Sequence, residues 1–466
     1  MPDHGATQQL ATFAASTRFE DLPPAASDAV CFAILDTLAV AVAGADAPVA
    51  RAVSDLSGAS AGGSATLVGR SGWADPAAAA LVNGAAAHAL DYDDVSFAAS
   101  AHPSVSILPA LLALGEPRGT TGRDLITAYG VGFQVAVALG RTLNPGHYAH
   151  GWHGTGTVGT MAATFAGGNL LGLDPDRIAV AAAIASSGAS GLRGNFGTDV
   201  KPYQVGNAGR NAVAAVLLAE SGLVGVSDIL EAEHGYLQAF SPSGDPPRSL
   251  VTDWERPWAV LDPGITTKLF PSCASSHASV ASILALREGG LRPDDVEHIC
   301  AELTDIAAGN MRYPQPRSPL EAKFSLQYCA AVALRDGALT LDHFTDAALA
   351  DPPRDLMARI EVRHDPALTA AYEWGAPRPA VMTVRARSGE TLVHRCDAPP
   401  GSPGTFSREM LHAKVRDCLG RGVAAITADE LIDQVEGLAE ADDIGPLLRA
   451  LAARADTMEG EVRGQG

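Results

Sequence analysis

From residue 25 to about residue 240, apolar positions recur with helical spacing in one alanine-rich segment after another. "PAASDAVCFAILDTLAVAVAG" carries a serine cap and an apolar face. "DPAAAALVNGAAAHAL", "TGRDLITAYGVGFQVAVALG", "DPDRIAVAAAIASSGA" and "VGNAGRNAVAAVLLAESG" follow, most with Asp, Ser or Thr starts and glycine stops. No stretch in this region alternates with period two over a useful length. The character changes across 241–272, "SPSGDPPRSLVTDWERPWAVLDPGITTKLFPS", whose proline and glycine content predicts a domain boundary. Beyond it, "VEHICAEL" (296–303) and "ARIEVRHD" (358–365) read as strands. "AVMTVRARSGETLVHRC" (380–396) reads as a hairpin around Ser388-Gly389. Helices lie between them, and the chain returns to helices after "APPGSPGTF" (398–406). The expected fold is mostly α: a large helical domain, a smaller α+β domain from about 268 to 400, and C-terminal helices that pack back or trail.

At 466 residues the chain is long enough for two or three domains. Aromatics make up only 5%, so small side chains on closely approaching helices must supply much of the packing. The net charge of −20 argues against a nucleic acid or an anionic membrane as partner, since both select for clustered positive charge. Six cysteines without a CxxC pair argue against a structural zinc site or a disulfide framework. "MPDHGATQQLATF" lacks the basic-then-apolar pattern of a leader, and the longest apolar stretches are broken by Asp36 or by serines. A cytoplasmic protein without a membrane span is the expectation. Of 33 basic residues only four are lysines, Lys201, Lys268, Lys323 and Lys414. Lysine is a compact charge whose pKa responds to burial, and two of the four fall in unusual local contexts.

"GWHGTGTVGT" (151–160) has Gly154, Gly156 and Gly159 at the spacing of a dinucleotide loop. That loop needs a strand before the glycines and an acidic residue at a strand end about 20 residues on. "RTLNPGHYAHGW" precedes them and "LGLDPDRIAV" follows, neither of which fits; the glycines are expected to open a tightly packed helix beside His153. His147, His150 and His153 have a spacing that suggests metal ligands, but no helix is expected to hold them on one face. Cys273 and His277, at i and i+4, admit a thiol nucleophile with its base, although a cysteine among Ser and Ala more often packs. Asp91, His102 and His153 offer groups that move protons. Arg193, Lys201 and Lys268 offer cationic anchors in an acidic protein. That combination suits a small substrate with several carboxylates: the cations hold them and stabilise the enolate-like charge that forms when an adjacent C–H proton is removed. No metal or organic cofactor is demanded.

The motifs "HALDYDD…HPS", "GWH.T.T.G", "FGT..KP…G.A.RN", "K.FPSC...H" and "EAKFSLQY…LRDG", running from about residue 88 to 338, resemble the MmgE/PrpD family. That family includes 2-methylcitrate dehydratase, cis-aconitate decarboxylase and iminodisuccinate epimerase. "LDTLAVAVAG" (35–44) fits as well. The resemblance implies a helical domain built from 1–266 and 401–466, an α+β lid domain over 267–400, a homodimer, and a cofactor-free site between the domains. It maps site positions onto Asp91, His102, His153, Lys201, Lys268 and Tyr328, with Arg193, Gln204, Cys273 and His277 as substrate-binding candidates. His153 and His102 would do acid/base work, Asp91 would orient or share a proton, and the lysines would bind carboxylates. The decarboxylase pattern has a threonine where this chain has Val95 and a histidine where it has Cys273; Gln204 stands where relatives often carry histidine. The resemblance therefore implies a cofactor-independent dehydratase of a small hydroxy di- or tricarboxylate such as 2-methylcitrate. Epimerisation of an iminodisuccinate-like dicarboxylate, cis-aconitate-type decarboxylation and a non-catalytic carboxylate-binding homologue are the alternatives.

Overall fold

A computed structural model describes residues 5–57, 63–241, 250 and 258–453. Residues 242–249 and 251–257 of the proline-rich boundary stretch lie outside the described residues.

The long helices Pro24–Gly44, Pro76–Ala89, Ser104–Gly115, Gly122–Leu143, Gly154–Leu170 and Val200–Glu220 pack on one another around one core. Several are apolar all round, as a helix enclosed by other helices must be. Val200–Glu220 lies against both Pro76–Ala89 and Gly154–Leu170. A Cβ on Gly206 would stand 2.2 Å from the Leu81 carbonyl oxygen, so only glycine permits this approach. Helix Pro24–Gly44 is long and apolar enough to cross a membrane, but most of it is buried in this bundle. Its Asp36, fully buried, meets the Lys414 ammonium at 2.5 Å.

Lys414 sits on helix Arg408–Leu419, which packs against Pro24–Gly44. Leu411 and Val415 of that helix, Leu431 and Val435 of Ala428–Glu436, and Leu448 of Gly445–Leu451 enter the same core as the N-terminal helices. The last helices thus pack back onto the first domain.

The second core is built from residues between Phe270 and Val384, with Phe196 contributed by the helical domain. It underlies a four-stranded sheet in the order Ile360–His364, Val296–Leu303, Ala380–Ala386, Thr391–Cys396. The first pair is parallel and the others antiparallel; Ile299 stands opposite both Ile360 and Val384. Ala380, Met382, Val384 and Ala386 are buried while the residues between them are not, the period-two pattern of a sheet covered on one face. Helix His277–Glu288 covers it and also contacts helix Leu326–Asp336. The architecture is a large helical domain and a smaller α+β domain.

Candidate active site

His88 stands in the last turn of helix Pro76–Ala89, and the chain then turns sharply through Asp91, whose φ of +50° lies in the left-handed region. A non-glycine residue holds that conformation only when its surroundings fix it. Here the surroundings are lysines. Lys323 Nζ donates to the Leu90 carbonyl at 2.7 Å, Lys268 Nζ to the Asp91 carbonyl at 2.9 Å, and Lys414 Nζ to the Tyr92 carbonyl at 2.6 Å. Lys268 and Lys201 also reach Asp91 Oδ1, at 2.6 and 3.1 Å. All four lysines of the chain therefore grip one tripeptide, from four separate elements.

Burial opposes the charge on Asp91, but Lys201 and Lys268 outweigh it and hold the carboxyl well below its ordinary value. Burial likewise disfavours the Lys268 ammonium, and Asp91 and Asp93 reverse that, leaving its pKa raised. Lys323 forms no ion pair among the described residues; burial outweighs the Asp91 charge and draws it down to about 7.

Asp93 anchors two imidazoles. Its Oδ2 lies 2.8 Å from His88 Nδ1 and 3.0 Å from His102 Nδ1, and the His102 nitrogen is also 2.7 Å from the Asp94 carbonyl. Both acceptors require the proton of His102 on Nδ1, so Nε2 keeps its lone pair. His88 Nε2 in turn accepts from Lys201 Nζ at 2.7 Å. Burial and the nearby lysine charges keep His102 below its ordinary pKa, against the pull of Asp93, and His88 is lowered to about 4. Behind them, Asp94 meets Ser104 Oγ, which meets Tyr129 OH; burial and the neighbouring Asp36 raise the Asp94 carboxyl well above its usual value.

His153 caps the helix Gly154–Leu170. The glycines after it serve packing: a Cβ on Gly156 would stand 2.2 Å from the Ser190 carbonyl oxygen, and one on Gly154 2.4 Å from that of Ser100. His153 Nδ1 donates to Gln204 Oε1 at 2.7 Å, and the Gln204 amide is fixed by its own donation to the Leu192 carbonyl. The tautomer is thereby set, and His153 Nε2 is buried without a partner. Burial, then Lys201 and His88, push this imidazole well below its ordinary pKa.

A small cavity of about 40 Å³ lies where the domains meet. Asp91, His102, His153 and Lys201 line it from the helical domain, and Cys273, Asn310, Phe324 and Arg378 from the smaller one. Lys201 sits between the Phe196 and Phe324 rings, at 5.4 and 5.6 Å from their centres. Val95, Phe97 and Ala274 form an apolar wall.

Several sequence candidates stand elsewhere. Tyr328 donates its hydroxyl to the His343 carbonyl and packs on Phe344 inside the second core, because its helix turns that face inward. His277 sets Nε2 3.2 Å from the Ser272 carbonyl and its ring edge-on to Phe270, and it does not line the cavity that Cys273 lines. Lys268 and Gln204 act from behind Asp91 and His153 and do not line the cavity. Arg193 is spent on the Tyr148 carbonyl and Asn310 Oδ1, with its guanidinium 3.7 Å from the centre of the Tyr148 ring. His147 turns to Thr157 and is not gathered with His150 and His153.

The sequence does not mark His88, Asn310 or Arg378, and it shows Asp93 only as part of the acidic run with Asp91 and Lys323 only as one of four lysines. His88 stands in the last turn of an apolar helix, where a histidine is ordinary; Asn310, Lys323 and Arg378 find their partners far along the chain. The donor atoms of His88, Asp91, Asp93 and His102 lie within 4.8 Å of one another, a spacing suited to a metal ion. They are already engaged with one another and with two ammonium groups, so Lys201 stands where a cation would be drawn.

Fold and site define a two-domain protein with a buried acid–base centre at the domain junction. The chain belongs to the MmgE/PrpD family: the model of the MmgE/PrpD N-terminal domain matches residues 8–249 and that of the C-terminal domain residues 270–439. Cis-aconitate decarboxylase of Homo sapiens is 30% identical over 392 residues, covering 81% of this chain and 79% of the relative. The Mus musculus protein of that name is 30% identical over 437 residues (90% and 87%), and that of Aspergillus terreus 27% over 474 residues (96% of each). The protein is a lyase of this family.

Proposed function

We propose a cofactor-independent lyase that removes a proton α to a carboxylate of a small di- or tricarboxylate and expels water from the adjacent carbon. The observation that supports this most strongly is the pair of neutral imidazoles, His102 and His153, beside an ammonium group in one cavity. His102 takes the proton at Nε2, because the Asp93 carboxylate at its other nitrogen stabilises the imidazolium that forms. Lys201 neutralises the charge that builds on the substrate carboxylate and gives a proton to the departing hydroxyl, so one proton enters the protein and one leaves with water. His153, whose partner is the neutral Gln204 amide, is the weaker base and orients the hydroxyl. An epimerase would return the proton to the other face of the same carbon and needs no leaving group.

Decarboxylation of cis-aconitate is the second reading, favoured by the names of the relatives. Against it, Val95 and Cys273, the two departures from the decarboxylase pattern, both line the cavity. A changed substrate wall argues for a changed substrate.

Proton NMR in D2O with 2-methylcitrate, citrate, cis-aconitate and iminodisuccinate tests these readings. A vinylic product from a hydroxy acid supports dehydration. Itaconate from cis-aconitate replaces it with decarboxylation, and α-proton exchange without a new double bond replaces it with epimerisation. Ligand binding without any of these in the wild type identifies a non-catalytic homologue.

We further propose a homodimer, supported by the exposed apolar side chains of Leu218, Leu223, Val224 and Val226 at the end of helix Val200–Glu220 and just beyond it. Light scattering of the eluted protein decides between one copy and two.

A further inference from the structure

Arg378 stands near the end of the loop 372–379 of the smaller domain, two residues before strand Ala380–Ala386, and lines the cavity although it is only 9% exposed. Its NH1 donates to Ser275 Oγ at 3.0 Å, and its Nε has no hydrogen-bond partner among the described residues. The Phe97 and Tyr148 rings flank the guanidinium at 5.2 and 5.9 Å. Among the described residues no carboxylate forms an ion pair with it, although the protein carries a net charge of −20.

A buried guanidinium without a counter-ion is costly, and one left so in a cavity wall is held ready for an anion that arrives from outside. The neighbours keep it ready. Ser275 Oγ also accepts from Asn310 Nδ2, and Asn310 Oδ1 is taken by Tyr148 and Arg193, so these side chains fix the fork without neutralising it. Lys201 differs, because Asp91 already shares its charge.

We propose that Arg378 is the specificity-determining residue of a second carboxylate subsite, which takes the carboxylate remote from the carbon that loses its proton. This rests on the carboxylate reading above and narrows it: the substrate carries at least two carboxylates, one toward Lys201 and His102 and one in the fork of Arg378. The smaller domain thereby senses the substrate directly. Monocarboxylates reach only the first of the two positions.

The test is titration calorimetry with tricarballylate, a saturated tricarboxylate without a leaving group, and with butyrate, a monocarboxylate. Arg378→Gln should weaken tricarballylate binding by about ten- to a hundredfold, the range for a hydrogen-bonded charge pair. It should also erase most of the preference of the wild type for tricarballylate over butyrate, and Arg378→Lys should fall between. The ligand-free melting temperature of Arg378→Gln should hold or rise, since the change removes an unpaired buried charge; an arginine retained for structure would lower it. Wild-type affinity in Arg378→Gln overturns the subsite and leaves the carboxylate reading standing. A wild type that binds neither tricarballylate nor cis-aconitate overturns that reading itself.

Discussion

At the scale of single residues, the site separates groups that face the cavity from groups that hold them. His102→Gln should lower turnover by about 10²–10⁴-fold, the usual contribution of a general base, with no change in melting temperature large enough to account for it. Asp93→Asn should reduce the rate less and move the acid limb of the pH–rate profile to lower pH, because the Asp93 charge raises the His102 pKa. An unmoved limb would assign the titration to another group. In the wild type both imidazoles lie below their ordinary value, so activity should persist beneath pH 6.5 and fail only on further acidification. Gln204→Leu leaves His153 Nδ1 without its acceptor. It should reduce kcat more than it raises KM, as expected for a residue that positions another.

At the scale of elements, the helices were legible because each announces itself locally, through alanine-rich apolar runs with a capping residue and a glycine stop. The hairpin 380–396 was legible through its alternation. The site was legible only in part. Asp91, His102, His153 and Lys201 stand in glycine-rich or polar settings that drew attention. Lys323 binds the Leu90 carbonyl 233 positions away and Lys414 that of Tyr92 322 positions away, so neither carries a local signal of its role. Tyr328 and His277 misled for the complementary reason: a polar side chain in a recognisable motif can be satisfied by a backbone carbonyl inside a core. The pair between helices Pro24–Gly44 and Arg408–Leu419 gives a test at this scale. Lys414→Met strands the Asp36 carboxyl in the bundle and should cost about 3–5 kcal/mol in denaturant unfolding, whereas Asp36→Leu with Lys414→Met should recover most of it. No recovery in the double variant would show that the grip on Tyr92, and not the ion pair, is what Lys414 contributes. Gly156→Ala should also lower the melting temperature, by the overpacking of a helix start against the Ser190 carbonyl.

At the scale of the whole molecule, the neutral buried histidines tie stability to pH. His88 and His147 are lowered to about 4 and His277 to about 3 in the fold, while the unfolded chain protonates near pH 6.5. Their contribution is complete above pH 6.5 and is lost as the pH falls from there toward 4, the unfolded state then binding more protons. Asp94, raised in the fold, works in the opposite sense. Calorimetric melting across pH 4–8 should therefore show a fall on the acid side that begins near 6.5; a fall beginning only below pH 4 would mean that the imidazoles are charged in the native state. The placement of the lysines has a consequence of a different kind. Lys201, Lys268, Lys323 and Lys414 are each no more than 4% exposed, so the positive charge that meets solvent is carried by arginine. An acylating reagent such as an N-hydroxysuccinimide ester thus meets no lysine on the folded surface. Modification of Lys201, Lys268 or Lys323 records an opening of the junction between the domains, modification of Lys414 a parting of the helices that hold Asp36, and peptide mass mapping of the labelled chain times each motion.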